Sequence, residues 1–266
     1  MIRLLFVCVL GLGAWQIGAP RDTAAPPDRP GAGTLVWADE FDGRGLPDPA
    51  RWDREVGRIR NNEAQYYTRA RLDNARVEEG TLVIEARREP FEGAEYTSAS
   101  LTSRASWTYG RFEVRARLPR GRGTWPAIWT LGTNIKEVGW PTCGEIDIME
   151  HVGFDPGRVH ANVHTGAYNH VRRTHKGSST LVVKPEDEFH VYAADWSPQQ
   201  IEFFVDGRRY FSFAREAGGT AVWPFDEPQY LILNLAIGGA WGGQKGIDDG
   251  AFPARFVIDY VRVYRR

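Results

Sequence analysis

The sequence predicts an all-β fold, two antiparallel sheets packed face to face as a sandwich or jelly roll, on three observations. Short runs alternate apolar and polar residues with a period of two. Turns rich in Gly and Pro separate those runs. No stretch after residue 34 sustains a period of about 3.6 over three turns, and no repeat of roughly 20 to 50 residues occurs. A chain of 266 residues suits one large all-β domain with a core of its own.

The elements follow in chain order. MIRLLFVCVLGLGAWQIGA sets Arg3 before an apolar run that begins at Leu4, is too short for a comfortable membrane span, and closes on Gly18 and Ala19. This is the pattern of a secretory signal over residues 1–19, and hence of a secreted or periplasmic protein. Ile17 sits where a small residue is usual at the cleavage site, so a retained N-terminal anchor is the alternative. Residues 20–33, rich in Pro, Ala and Gly, read as a flexible linker, and residues 34–266 as the folded domain. Cys8 lies inside the signal, which leaves Cys143 as the one cysteine of the exported chain. That excludes an intrachain disulfide and a zinc cluster, and Cys143 itself reads as a small buried residue.

GRFEVRARL, residues 110–118, sets Phe112, Val114, Ala116 and Leu118 against Arg111, Glu113, Arg115 and Arg117, a strand with one buried face. IEFFVDGRRYFSF places Asp206-Gly207 between two apolar runs, the signal of a tight hairpin. YLILNLAIGG and RFVIDYVRVY read as further strands, the first buried on both faces because it is apolar almost throughout.

With 33 basic against 34 acidic residues, the chain carries no electrostatic footprint for nucleic acid or an anionic membrane. Ten Trp, ten Tyr and 13 Phe offer flat apolar faces with polar edges. Such faces suit a neutral, ring-shaped ligand, or else serve the core.

GEIDIMEHV, residues 144–152, holds Glu145, Asp147 and Glu150 among isoleucines. Alternation places Glu145 and Asp147 on one face and Ile146 and Ile148 on the other, which would leave Glu150 on the wrong face. If Met149 is the extra residue of a β-bulge, Glu150 returns to the acidic face. Like-charged carboxylates are costly to bury, so a purely structural strand would not choose three. A solvated edge strand is the bland alternative. Two carboxylates flanking one bond are the minimal apparatus for cleaving a glycoside, one attacking or activating water and the other protonating the leaving oxygen. Glu145 and Glu150 would lie roughly 13 Å apart at their α-carbons, a gap that two long Glu side chains can close to the about 5 Å that retention of configuration requires. Asp147, between them, is placed to hydrogen-bond Glu145 and keep a proton in the cluster.

GEIDIMEHVG together with GTWPAIWTLG, residues 123–132, resembles the signature of glycoside hydrolase family 16, and most of all its laminarinase-type endo-β-1,3-glucanases. The resemblance extends through WADEFDG near residue 40, NNEAQYYT from Asn61, TYGRFEVRARLP from Thr108, NLAIGGAWGG from Asn234 and the closing DYVRVY. It implies a β-jelly roll with a cleft across its concave sheet and a monomer that needs no cofactor for catalysis. It also implies retention through a covalent glycosyl-enzyme, with Glu145 as nucleophile, Asp147 as its helper and Glu150 as acid/base. The bulged motif points to β-1,3 or mixed β-1,3/1,4-glucan such as laminarin. A non-catalytic glucan-binding protein, a transglycosylase and an agar or carrageenan hydrolase on the same fold are the alternatives.

For substrate binding the resemblance implies Trp125 and Trp129 as cleft tryptophans, Asn61 and Glu63 near the cleavage point, His164 in the cleft and, more remotely, Arg104; Trp241 lies in a Gly-rich loop able to form a rim. Core packing is the competing role for Trp129, turn formation for Asn61 and Glu63, and an ordinary structural role for His164, which has no acidic or Cys partner at metal-binding sequence spacing. A structural calcium, remote from the chemistry, is implied at the Asp259 side chain and the backbone oxygens of Glu40 and Gly80.

Overall fold

The computed structural model describes residues 33–266. The proposed signal, Cys8 and the linker up to residue 32 lie outside the described residues. Strands β1 to β17 form two sheets. The first, seven-stranded, has the spatial order β12 (Lys176–Leu181), β11 (Arg158–His164), β10 (Glu145–His151), β9 (Thr124–Gly132), β16 (Gln229–Ile237), β7 (Ser100–Trp107) and β2 (Trp52–Glu55). The second runs β15 (Arg208–Ala214), β14 (Gln200–Val205), β13 (His190–Trp196), β8 (Gly110–Arg117), β17 (Ala254–Arg265), β5 (Thr81–Phe91), β6 (Ala94–Ser98) and β3 (Gln65–Tyr67). On it, β1 (Thr34–Asp39) pairs with β17 and β4 (Ala75–Glu78) with β5. Pairing is antiparallel except between β3 and β6. This is the expected two-sheet jelly roll, with the acidic strand β10 inside the seven-stranded sheet. The α-helices α1 (Ile135–Val138) and α2 (Gly239–Gly242) are four residues each, in keeping with the missing helical period.

One core fills the space between the sheets. The second sheet contributes Phe112, Val114 and Ala116 of β8 with Ile258, Val261 and Val263 of β17. The first contributes Ile146, Ile148 and Met149 of β10, Val159, Ala161 and Val163 of β11, and Leu231, Leu233 and Leu235 of β16. Each such Val, Leu, Ile, Phe or Met side chain stabilises the fold by about 1.5–3 kcal/mol on leaving water, before the entropy of ordering it is set against that gain. Strand β16 is buried on both faces, as its composition foretells, because Ile232 packs on the outer side with Ala127, Trp129, Leu131 and Cys143. Asp206 and Gly207 both take positive φ, 49° and 78°, as a tight hairpin turn demands.

Strand β8 departs from the one-buried-face reading. Its charged face is covered at Arg111 and Glu113, which are themselves buried. Because β8 lies between β13 and β17, neighbouring side chains close over it: Glu113 accepts from Arg111 Nε at 3.1 Å and Tyr260 OH at 3.0 Å, and Arg111 pairs with Asp195 at 3.1 Å. A period-two pattern identifies the strand but not what its neighbours lay across it.

The bulge in β10 is present. On the β11 side, Asp147 pairs with Asn162 and Glu150 with His160, so Ile148 and Met149 together oppose Ala161. On the β9 side Met149 still pairs with Ile128, and Ile148 is the residue that is skipped. Both bulge side chains enter the core, where they are at most 1% exposed. Two consecutive apolar residues therefore face inward, and Glu150 rejoins Glu145 and Asp147 on the outer face.

Met149 thus anchors the bulge through packing and has no part in chemistry. Met149→Ala should cost about 2–5 kcal/mol of stability, the range for truncating a buried Met. Turnover per folded molecule at low temperature should stay within an order of magnitude of the parent. Denaturant unfolding and active-site-normalised rates measure the two effects, and a large loss of turnover at full stability would contradict the assignment.

Candidate active site

The sequence before β10 turns sharply. Gly144 has φ 79°, and a Cβ there would stand 2.8 Å from Pro224 Cγ, so glycine alone fits the entry to the strand. From that turn Glu145, Asp147 and Glu150 project from the outer face of the seven-stranded sheet, and the ladder sets His164 opposite Glu145. His164 Nε2 lies 3.7 Å from Glu145 Oε1 and 3.3 Å from Asp147 Oδ2. Trp140 Nε1 donates to Glu145 Oε2 at 2.9 Å. Glu150 accepts from Trp125 Nε1 at 3.1 Å through Oε1 and from Asn162 Nδ2 at 2.8 Å through Oε2. Both outer carboxylates are thereby held by N–H donors that also fix their rotamers.

Burial and mutual repulsion govern the protonation of the three acids. Burial, followed by the Asp147 charge, pushes Glu145 up to about 8. Burial and then the Glu150 charge hold Asp147 well above the ordinary carboxylate range. Glu150 is raised by burial, against which the Asn162 and Trp125 hydrogen bonds pull down. Three carboxylates in one buried pocket cannot all ionise, so the trio keeps at least one proton near neutrality. Such a group can offer a carboxylate and a carboxylic acid at the same pH, which is what paired nucleophilic and acid catalysis requires.

The residues singled out for binding are brought together unevenly. Trp125 and Trp241 meet edge to face at 5.6 Å above Glu150, and His160 abuts Trp241 at 4.9 Å. Asn61 and Glu63 join this end: the Asn61 carbonyl accepts from Ala240 N, and a Cβ on Gly239 would meet Asn61 O and Glu63 Cγ at 3.1 Å. Glu63 is buried and accepts from Asn61, Gln65 and Tyr67. Tyr67 OH in turn accepts from Asn234 Nδ2, and Asn234 Oδ1 accepts from Trp129 Nε1 at 2.7 Å. Trp129 is only 8% exposed, packs in the outer apolar cluster and carries the Arg60 guanidinium 4.8 Å from its ring centroid. Arg104 stands apart on β7, donating to Pro49 O and lining a groove of about 370 Å³ with Asp53, Thr102, Ser106 and Tyr230.

Trp140 and Asn162 escaped assignment from sequence, although each donates to one of the two glutamates. Asn162 shares a strand face with His164 and could have been found by alternation; Trp140 arrives through the turn ahead of β10, which leaves no periodic signal. The spacing argument against metal ligation by His164 also fails, because its acidic neighbours come across the ladder from β10 and not from its own strand. Cys143 is buried as expected, and burial together with the Glu145 charge pushes its thiol up to about 11.

The residues implied for calcium lie on the other sheet. The register Asp39↔Val261 and Ile258↔Leu82 brings Glu40, Gly80 and Asp259 to one region. Arg115 Nη1 contacts Asp259 Oδ2 at 2.5 Å, and Arg262 holds the Glu40 carboxylate at 2.8 Å. The one side-chain donor of the set already has a cationic partner.

The sequence profile of glycosyl hydrolases family 16 matches residues 62–262. A beta-glucanase of Rhodothermus marinus is 54% identical over 276 aligned positions, which span all of this chain and 95% of that protein. The crystal structure of the laminarinase from Rhodothermus marinus superposes with a TM-score of 0.85 at 58% identity, covering 87% of this chain and 97% of that one. A glucan endo-1,3-beta-glucosidase of Cryptopygus antarcticus is 38% identical over 253 positions, 87% of this chain and 92% of that protein.

The raised pKa of Glu145 has a consequence for stability. Between about 4.5 and about 8 the folded state retains a proton that the unfolded chain has lost, so this residue's contribution falls as pH rises through that window. Glu145→Gln, which cannot ionise, should stabilise the fold by on the order of a few kcal/mol at pH 8 and by little below pH 4.5. Melting temperatures across that range test this, and a benefit independent of pH would contradict it.

Proposed function

The chain belongs to glycosyl hydrolases family 16, and on that premise we propose that it is a retaining endo-glycosidase that cuts internal β-1,3 bonds of glucans such as laminarin, with mixed β-1,3/1,4-glucan as a further substrate. The observation that carries the reading is the bulged β10, which sets Glu145 and Glu150 on one face beneath Trp125 and Trp241. In this mechanism Glu145, as carboxylate, attacks the anomeric carbon while Glu150 gives its proton to the departing glycosidic oxygen. A covalent glycosyl-enzyme forms as the glycosidic bond breaks. Glu150, now a carboxylate, takes a proton from water as that water displaces Glu145, and the product keeps its configuration.

Supporting residues have distinct parts. Trp140 steadies Glu145, Asn162 and Trp125 steady Glu150, and Asp147, beside His164, shares in the proton that the cluster keeps. The ladder aligns Asn162, Asp147, Trp129, Ile232, Thr102 and Asp53 in one row across the sheet. At about 4.8 Å per strand the row is roughly 24 Å long, the direction in which a bound glucan would cross the sheet. Arg104 would meet the far end of such a chain. Retention of all three acids favours an enzyme over a protein that only binds glucan. Export rests on the N-terminal run and belongs to the same proposal.

Laminarin should be cut to short oligosaccharides by internal cleavage. Release of glucose alone from the first minutes, or a preference for agarose, would sink the substrate assignment. The roles of the glutamates separate with azide. Glu145→Gly should yield an α-glycosyl azide, because one inversion replaces two. Glu150→Ala, on a substrate with a good leaving group, should yield the β-anomer through the trapped intermediate. Anomeric couplings in proton NMR decide, and swapped anomers would exchange the roles.

A calcium ion at Glu40, Gly80 and Asp259 would displace Arg115 from Asp259 and stabilise only the folded state. Chelator-stripped protein should then melt higher with added CaCl2, and Asp259→Asn should abolish the rise. An unchanged melting temperature in the parent protein would rule the site out.

A further inference from the structure

The donor atoms of Glu145, Asp147 and His164 lie within 4.8 Å of one another. Ligands around a tetrahedral zinc, at about 2.0–2.2 Å from the metal, stand about 3.3–3.6 Å apart. The edge from His164 Nε2 to Asp147 Oδ2, 3.3 Å, falls at that spacing, and the edge to Glu145 Oε1, 3.7 Å, lies just outside it. A second observation is independent of this match. Asp147 is 3% exposed, and its Oδ2, aimed into the cluster, receives no hydrogen bond. An acceptor so buried calls for a cationic or protic partner. Among the described residues no Arg or Lys is paired with Glu145, Asp147 or Glu150; the His164 imidazole, 3.3 Å away, is the group that faces that oxygen.

We propose that Glu145, Asp147 and His164 form a reversible inhibitory site for zinc in the floor of the cleft. One imidazole nitrogen and two carboxylate oxygens make a three-ligand set of the kind that leaves a fourth position open to water. The mixed nitrogen and oxygen donors favour zinc over magnesium and calcium, which want six or more oxygens. The bound ion occupies the Glu145 oxygen lone pair that would attack the sugar and stands where the anomeric carbon must approach. Zinc therefore competes with substrate. Binding itself depends only on the geometry of β10 and β11, whereas inhibition rests on the glucanase reading of the site.

The test uses the full chain with ZnCl2 in phosphate-free buffer near pH 7. Isothermal titration should find zinc bound at this site, with more than about tenfold weaker affinity in each of His164→Gln, Asp147→Asn and Glu145→Gln. The exposed His170 and His175, whose rings lie 5.3 and 5.9 Å from that of His164, are the competing ligands. A double variant His170→Ala, His175→Ala should keep the affinity. Cobalt(II) substituted for zinc should give the strong visible absorption of a four-coordinate site, lost in His164→Gln. In the parent enzyme zinc should raise the KM for laminarin, EDTA should restore it, and millimolar magnesium should do neither. Affinity unchanged by the three ligand variants, or abolished by the double histidine variant, overturns the site. An enzyme active on laminarin and indifferent to zinc does so as well, without needing any variant to fold. Zinc binding by a chain inactive on laminarin would leave the site standing and remove the hydrolase reading instead.

Discussion

Everything about the site depends on one constraint: a β-strand shows alternate residues to opposite faces, and β10 must break that rule once. The break is held in place by apolar packing. Ile148 and Met149 both enter the core, and the transfer of two consecutive side chains from water outweighs the lost ladder pairing at Ile148. Without that pull Glu150 would face the core. A charge buried there without a partner would cost more than the whole margin of stability of an ordinary domain. The chemistry of the outer face is thus fixed by hydrophobic contacts on the inner one.

The outer face is built to tolerate charge in a poorly solvated place. Each outer glutamate accepts an indole N–H, from Trp140 or from Trp125, and Glu150 accepts an amide as well. These bonds lower the cost of ionising the two glutamates, while burial and mutual repulsion hold all three acids above the ordinary carboxylate range, so the cluster keeps a proton. A second buried network, Trp129 to Asn234 to Tyr67 to Glu63, ties the seven-stranded sheet to the loop bearing Asn61. Satisfied networks of this kind are rigid, since releasing any one member leaves a buried polar group unpaired.

The tryptophans are divided between the core and the surroundings of the acids. Trp52, Trp196 and Trp223 lie in the core with at most 2% exposure, while Trp125, Trp140 and Trp241 surround the acids. Trp129 belongs between the two groups: it sits on the cleft side, yet its ring is covered by Arg60 and its N–H is taken by Asn234. Its contribution to the cleft is as much to support the floor as to offer a face.

The sequence by itself determined the sheet architecture, the hairpin at Asp206-Gly207, the double burial of β16, the acidic face of β10 and the presence of its bulge. These are properties of a local period, and a departure from a period of two is visible within six residues. Tertiary structure alone decided which partners reach the acids. His164 comes beside Glu145 and Asp147 because two strands pair in one register, Trp140 reaches Glu145 around a turn, and the Tyr67 hydroxyl that bonds Glu63 is itself held by the distant Asn234. The buried charges of β8 belong to the same class, since only the placement of β13 and β17 beside that strand covers them. Periodicity states which way a side chain points; what it meets there depends on contacts between residues far apart in the chain, and no local pattern encodes those.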